Sequence, residues 1–192
     1  GYEDTVYLVD GRSAAIGTGI LVEMAVKMAE NGESAEAIAK KITEERENIC
    51  VIAMLNTLEY LKRGGRISAA TAFLGAMLNI KPIITMTGGT LHMIGKQKGL
   101  KKSLITLGEH FKSNYNAETS KSVYILDACE SDYADELEKI IKAQKIAEKS
   151  FLETLSFLKV GIPDANVKRG LITPIVGAHL GSGALVLAFC GQ

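Results

Sequence analysis

The sequence predicts an α/β protein built as two units, and three observations carry that reading. Short β-branched runs alternate with stretches of helical periodicity, roughly the first 45 residues keep a strand-then-helix order, and a hairpin with an irregular order of elements follows. The junction is placed at the charged segment around Glu44 to Asn48, dividing residues 1–46 from residues 47–192.

Thr5-Val6-Tyr7-Leu8-Val9 is short, β-branched and aromatic and ends at the turn signal Asp10-Gly11, so a buried strand is expected there. Leu21, Met24, Ala25 and Met28 recur at i, i+3, i+4 and i+7, which paints one face of a helix, and Asn31-Gly32 supplies its stop. Ser34 is placed to cap a second helix with Ala35, Ile38, Ala39 and Ile42 on its inner side. Ile49 to Met54 is a continuous apolar run that suits a strand covered on both faces.

A short helix near Thr57 to Arg63 should stop at Gly64-Gly65, because two glycines weaken a helix and permit positive φ. Ser68 can cap a helix whose side carries Ala70, Phe73, Leu74, Met77 and Leu78. Ile80 to Met86 and Thr90 to Ile94 flank Thr87-Gly88-Gly89 and read as an antiparallel hairpin, with Pro82 at a strand start or an edge. Leu100, Leu104, Leu107 and Phe111 mark another helix, Ser122 to Leu126 a strand, and Ser131 onward an amphipathic helix through Leu137 and Ile141. Phe151 to Leu158 continues that helix after a break, and Gly161 to Asp164 is a loop. Leu171 to Val176 and Ala184 to Phe189 read as two closing strands, with His179 in the glycine-rich connection between them.

Composition sets the outer limits of function. The chain has 192 residues, 22 Lys plus Arg against 22 Asp plus Glu, and 47% hydrophobic residues. A formal charge of zero provides no basic excess for counterion release, so nucleic acid is not expected as a partner. No stretch approaches the ~20 apolar residues of a membrane span and the first residues show no targeting pattern, so a cytoplasmic location is expected. Cys50, Cys129 and Cys190 are odd in number, widely spaced and set among apolar neighbours, so buried reduced thiols are expected.

Counting removes several enzyme motifs. Gly89 and Gly95-Lys96 are spaced wrongly for a phosphate loop, and Gln97 stands where Ser or Thr is needed. Gly17-Thr18-Gly19 has Val22 in place of the third glycine of a dinucleotide fingerprint, and Leu180 stands where a nucleophile elbow around Ser182 needs glycine. His92, His110 and His179 are scattered, so no metal site is expected.

Two places carry chemistry instead. Gly64-Gly65-Arg66 puts a permanently charged, bidentate anion donor directly after a backbone break; the alternative is a solvated surface Arg. His179 sits among Gly177, Gly181 and Gly183, where backbone and ligand can approach closely; the alternative is a hydrogen-bonded structural His. Lys96, Lys98, Lys101 and Lys102 form a solvated basic face or a docking patch for an acidic partner, and Phe73, Leu74 and Met77 belong to a core or to a ligand pocket.

The stretch from Leu58 through Arg66-Ile67-Ser68, then Phe73-Leu74-Gly75-Ala76-Met77-Leu78-Asn79-Ile80-Lys81-Pro82-Ile83, resembles the DegV family of bacterial fatty-acid-binding proteins. So do Ile175-Val176-Gly177-Ala178-His179 with Gly181 and Gly183-Ala184-Leu185, and Val9-Asp10 with the small residues from Ser13 to Gly19. The resemblance implies a two-domain α/β fold: a remnant of a parallel three-layer α/β domain, then a two-layer domain with a mixed, largely antiparallel sheet. It implies a carrier without a catalytic centre or cofactor of its own, which holds one long-chain fatty acid and presents its carboxylate to a partner fatty acid kinase. The acyl phosphate formed there would serve phospholipid synthesis. By position, Arg66 and His179 take the head-group roles, Ile16, Phe73, Leu74 and Met77 line the acyl tunnel, and Lys98 lies on the surface that meets the kinase.

The chain also departs from the family pattern. It is expected to lack the family's N-terminal third, with the first strands and the Ser and Thr hydroxyls that grip the carboxylate, leaving an unprotected sheet edge. Asp10-Gly11 stands where Asp-Ser is usual, Leu180 and Ser182 replace Thr and Pro beside the His, and Ser131 to Asp164 is longer than usual. The second reading is a phosphotransferase component resembling the substrate-binding half of dihydroxyacetone kinases, in which His179 would hold a small substrate; a small polar pocket around His179 would favour it.

Overall fold

The structure, a computed structural model, describes residues 6–66, 79–116, 120, 122–129, 131–143 and 166–191. Helix α1 spans Ile16–Glu30 and stops where Gly32 takes a φ of 81° and Glu33 donates its N–H to the Met28 carbonyl. Helix α2 (Ala35–Glu45) starts at Ser34, whose hydroxyl accepts the Ala37 N–H at 3.2 Å. A 3₁₀ turn over Arg46–Asn48 leads into strand β1 (Ile49–Met54), and helix α3 (Glu59–Arg63) follows.

Strands β2 (Ile80–Thr87) and β3 (Thr90–Lys98) form the expected hairpin. Gly88 and Gly89 take φ values of 58° and 79°, the left-handed pair that a tight two-residue connection needs. Then come α4 (Leu100–Asn114), β4 (Val123–Asp127), α5 (Ser131–Ala143), β5 (Val167–Leu171), α6 (Pro174–Leu180) and β6 (Leu185–Cys190).

Among the described residues the strands make one six-stranded sheet in the order β3-β2-β1-β6-β4-β5. Only the β4–β5 pair is parallel; the other pairings are antiparallel, so the sheet is mixed and largely antiparallel. Alternation distributes its side chains. Leu185, Leu187 and Phe189 of β6, with Ile52 and Met54 of β1, meet Leu104, Leu107 and Phe111 of α4 and Leu137 and Ile141 of α5. The opposite face carries Ala53 and Val186 beneath α3 and α6, and Ala188 and Cys190 beneath Ile20 and Leu21 of α1. Being covered on both sides, β1 and β6 can be almost purely apolar, which is why both stand out in the sequence.

Four expectations change. Val6 to Asp10 form no strand: no other described strand runs beside them to complete a ladder, and Leu8 is 96% exposed. Asp10 Oδ1 instead accepts the Arg12 N–H at 2.9 Å, a local turn. Leu171 only ends β5, and Ile172 to Val176 are not a strand, since Pro174 opens α6 at a position where its missing N–H costs nothing. Cys129 is exposed, not buried, because the chain turns out of β4 there with a φ of 66°, while Cys190 is buried and Cys50 half-buried. Pro82 lies in an interior strand, near its start and next to the irregularity at Ile83/Ile84, where its carbonyl accepts the Leu55 N–H at 2.9 Å. The expected helix from Ser68, the continuation over 151–158 and the loop at 161–164 lie outside the described residues.

Candidate functional site

The site begins with the way α3 ends. Gly65, at a φ of 66°, donates its N–H to the Lys62 carbonyl at 3.0 Å, and Arg66 donates to the Leu61 carbonyl at 2.9 Å. That pair of bonds is the left-handed C-terminal cap, which glycine adopts without strain at Gly65. The cap sends the chain back across the helix end and sets the direction of the Arg66 side chain. The guanidinium's Nη1 donates to the Gly64 carbonyl at 2.7 Å.

Helix α6 delivers the second group. Pro174 starts it, Gly181 ends it at a φ of 82°, and His179 falls in its last turn. The imidazole packs on the end of α3: a Cβ built on Gly64 would lie 2.2 Å from His179 Nδ1. That nitrogen is buried and has no hydrogen-bond partner among the described residues.

Arg66 and His179 share the wall of one cavity of about 240 Å³. Its floor is the sheet face carrying Val51, Ala53, Ile84 and Val186; Leu61 and Leu180 close it from α3 and α6. Ala14 and Ala15 cover one end, and Ile175, 80% exposed, stands at the rim. Apart from Arg66 and His179, Thr85 brings the remaining polar side chain to the described wall, and its hydroxyl already donates to the Val51 carbonyl at 2.8 Å. The arrangement is an apolar hollow with Arg66, itself exposed, and His179 on its wall. An amphiphile with an anionic end fits such a hollow; a small polar substrate would leave most of the wall without a partner.

A wider groove of about 510 Å³ runs between α1 and α2, lined by Leu21, Val22, Val26, Ile38 and Ile42 among others. It is largely apolar, and among the described residues no charged side chain lines it to meet an anionic head group.

The other residues singled out in the sequence lie as follows. Ile16 is not in the cavity wall; it follows the two alanines that are, and packs between the core patches beneath α3 and α1. Phe73, Leu74 and Met77 lie outside the described residues. Lys98 is exposed at the end of β3, an edge strand of the sheet, with Lys96, Lys101 and Lys102 exposed nearby. Sequence reasoning missed Val51, Ala53, Ile84 and Thr85. Their signal was available in the alternation of β1 and β2, but that pattern does not reveal which face stays partly uncovered. Among the described residues no group of three His, Cys, Asp or Glu side chains could hold a metal ion, and no helix is long and apolar enough to cross a membrane.

Comparison with known proteins adds independent lines. A family model described as an uncharacterised protein of the DegV family matches residues 1–192. A DegV domain-containing protein of Clostridium perfringens is 31% identical over 188 residues, which cover 97% of this chain and 59% of that protein. A solved structure from Thermus thermophilus, described as fatty acid binding of a DegV family protein, superposes with a TM-score of 0.79 at 28% identity, covering 97% of this chain and 61% of that one. A DegV family protein from Eubacterium eligens, loaded with heptadecanoic acid, shares the fold at a TM-score of 0.78 and 22% identity, covering 100% of this chain and 64% of that one. The chain therefore spans about three fifths of the length of the relatives it matches. A family match over every residue, a relative above 30% identity and a shared α/β fold with a mixed sheet agree: the chain belongs to the DegV family.

Proposed function

We propose that this chain is the part of a fatty-acid carrier that holds the ligand's carboxylate between Arg66 and His179 and the start of its acyl chain in the cavity beneath them. The observation that carries the reading is the meeting of those two side chains on the wall of one apolar hollow. The Thermus thermophilus relative, described as a fatty-acid-binding DegV protein, supports it. A sixteen-carbon chain that buries ~14 methylenes gains about 11 kcal/mol before ordering costs, at ~0.8 kcal/mol each. The tail supplies affinity, and the polar groups then set orientation. Arg66 pairs the carboxylate through its planar fork, and His179 donates a hydrogen bond without acting as a base.

The remainder of the reading follows from the same role. Ile16 lies behind the wall of the cavity that takes the acyl chain. Residues 1–46 belong to one unit and residues 47–192, which hold the described strands, to the second. A partner fatty acid kinase in the cytoplasm takes up the presented carboxylate, forms the acyl phosphate for phospholipid synthesis, and docks on the basic surface at Lys98. The small-substrate phosphotransferase reading finds no support at His179, whose surroundings are apolar.

Native mass spectrometry of the protein from a bacterial host, followed by lipid analysis after denaturation, tests the carrier reading. One fatty acid per chain is expected, and Arg66→Ala should lower occupancy about tenfold or more, as loss of a charge-assisted pair does. A chain that stays empty when offered saturating palmitate contradicts it.

A further inference from the structure

Three contacts join the segment after β1 to the end of α6 and its connection to β6, and each is made possible by a glycine. At Gly183 a Cβ would lie 1.9 Å from Asn56 Nδ2; at Gly181, 2.4 Å from Tyr60 Cδ2; at Gly64, 2.2 Å from His179 Nδ1. The residues advance by four on one side, Asn56, Tyr60 and Gly64, as the other side retreats by two, Gly183, Gly181 and His179. Asn56 locks the first contact by donating to the Ser182 carbonyl at 3.0 Å. The third contact differs in direction: there the glycine is on α3 and the side chain comes from α6.

Backbone conformation separates the three glycines. Gly181 and Gly183 have φ values of 82° and 72°, so each is required by its own backbone whatever it touches. Gly64 has a φ of −76° and a ψ of −5°, open to any residue, and at the end of a helix glycine is a poor helix former. Neither dihedral strain nor helix propensity explains a glycine there. Among the described residues the two atoms nearest the missing Cβ are Nδ1 and Cε1 of the His179 imidazole, the latter 2.8 Å away.

We propose that Gly64 is a positioning residue for His179: by having no side chain it lets the imidazole lie flat on the end of α3 with Nδ1 sealed from water, leaving Nε2 as the nitrogen offered to the cavity. His179 is thus set to donate from Nε2 to a carboxylate that Arg66 pairs. The inference rests on the fatty-acid reading for its ligand but not for its geometry.

The test is Gly64→Ala read two ways, beside His179→Ala, the double variant, and Gly95→Ala as a control at a glycine with a free backbone and nothing within 4 Å. Palmitate affinity should fall about tenfold in Gly64→Ala, by the same factor in His179→Ala, and no further in the double variant, since a residue acting through another adds nothing once that other is gone. Imidazole ¹⁵N resonances of His179 in the ligand-free protein should shift in Gly64→Ala and stay in place in Gly95→Ala. Losses that add in the double variant, or unmoved His179 resonances, overturn the proposal. If wild type binds no palmitate, the fatty-acid reading fails, and the resonances alone decide whether Gly64 sets the ring.

Discussion

Cys50, Cys129 and Cys190 meet three different environments, and reactivity separates them. Burial pushes the Cys50 thiol up to about 11, with Cys190 nearby adding to the shift, so very little thiolate is present at pH 8. Cys190 is buried in β6, while Cys129 is exposed where the chain leaves β4. A thiol reagent at pH 8 should therefore label one site rapidly in native protein and all three after unfolding, with the slow sites at least roughly a hundredfold slower. Cys129→Ser should abolish the fast phase; a fast phase that survives the substitution would contradict the assignment. In the sequence Cys50 lies between Ile49 and Val51 and Cys190 follows Phe189, whereas Cys129 is followed by Glu130-Ser131-Asp132, and its exposure comes with a positive φ that Ala128-Cys129 does not announce.

At the scale of elements, one carboxylate ties α1 to the β4–β5 edge of the sheet. Glu23 accepts from Lys27 at 2.7 Å along its own helix, from Lys168 of β5 at 2.9 Å, and from the Tyr124 hydroxyl of β4. Lys168 also stands 5.1 Å from the Tyr124 ring. These partners, Lys27 first and then Lys168, hold the Glu23 carboxyl below its ordinary value of 4.5. A carboxyl lowered in the folded state contributes stability that is present above 4.5 and is lost as pH falls through the folded value. Glu23→Gln should lose about 1 kcal/mol at pH 7, the scale of a partly exposed ion pair, and the gap to wild type should close as pH drops below 4.5. Urea denaturation at both pH values checks this; a gap that is constant with pH would assign Glu23 a role in packing only. The helices of this layer were legible from periodicity and caps, as Ser34 and Gly32 show. Their anchor was not, because Glu23 lies more than a hundred residues along the chain from both Tyr124 and Lys168.

For the whole molecule, β6 is the hub. All six of its residues are buried, it pairs β1 on one side and β4 on the other, and its faces feed every core patch. Phe189 packs edge-on against Phe111 at 5.0 Å and beside Tyr115 at 6.1 Å. Phe189→Ala should cost about 3 to 5 kcal/mol, since the neighbours are held by separate elements and cannot collapse into the void. A loss below about 1 kcal/mol in denaturant unfolding would mean that the core closes over the gap. The same centrality makes β6 amides the slowest to exchange, with the edge strands β3 and β5 exchanging first.

Local chemistry determined a good deal of this protein before any coordinates. The hairpin at Gly88-Gly89, the cap at Ser34, the break after α3 and the apolar runs of β1 and β6 each follow from a few adjacent residues. The motifs around Arg66 and His179 marked the family because their order along the chain is itself information. The tertiary structure decided the rest. Val6 to Asp10 form no strand because a strand exists only with a partner beside it. Residues 174–180 form a helix because proline can open one, and that choice moves His179 from a loop to the last turn of α6. Arg66 and His179 lie 113 positions apart, and nothing local requires them to meet. They share a cavity because α3 and α6 pack on the same face of the sheet, where a glycine leaves room for a ring.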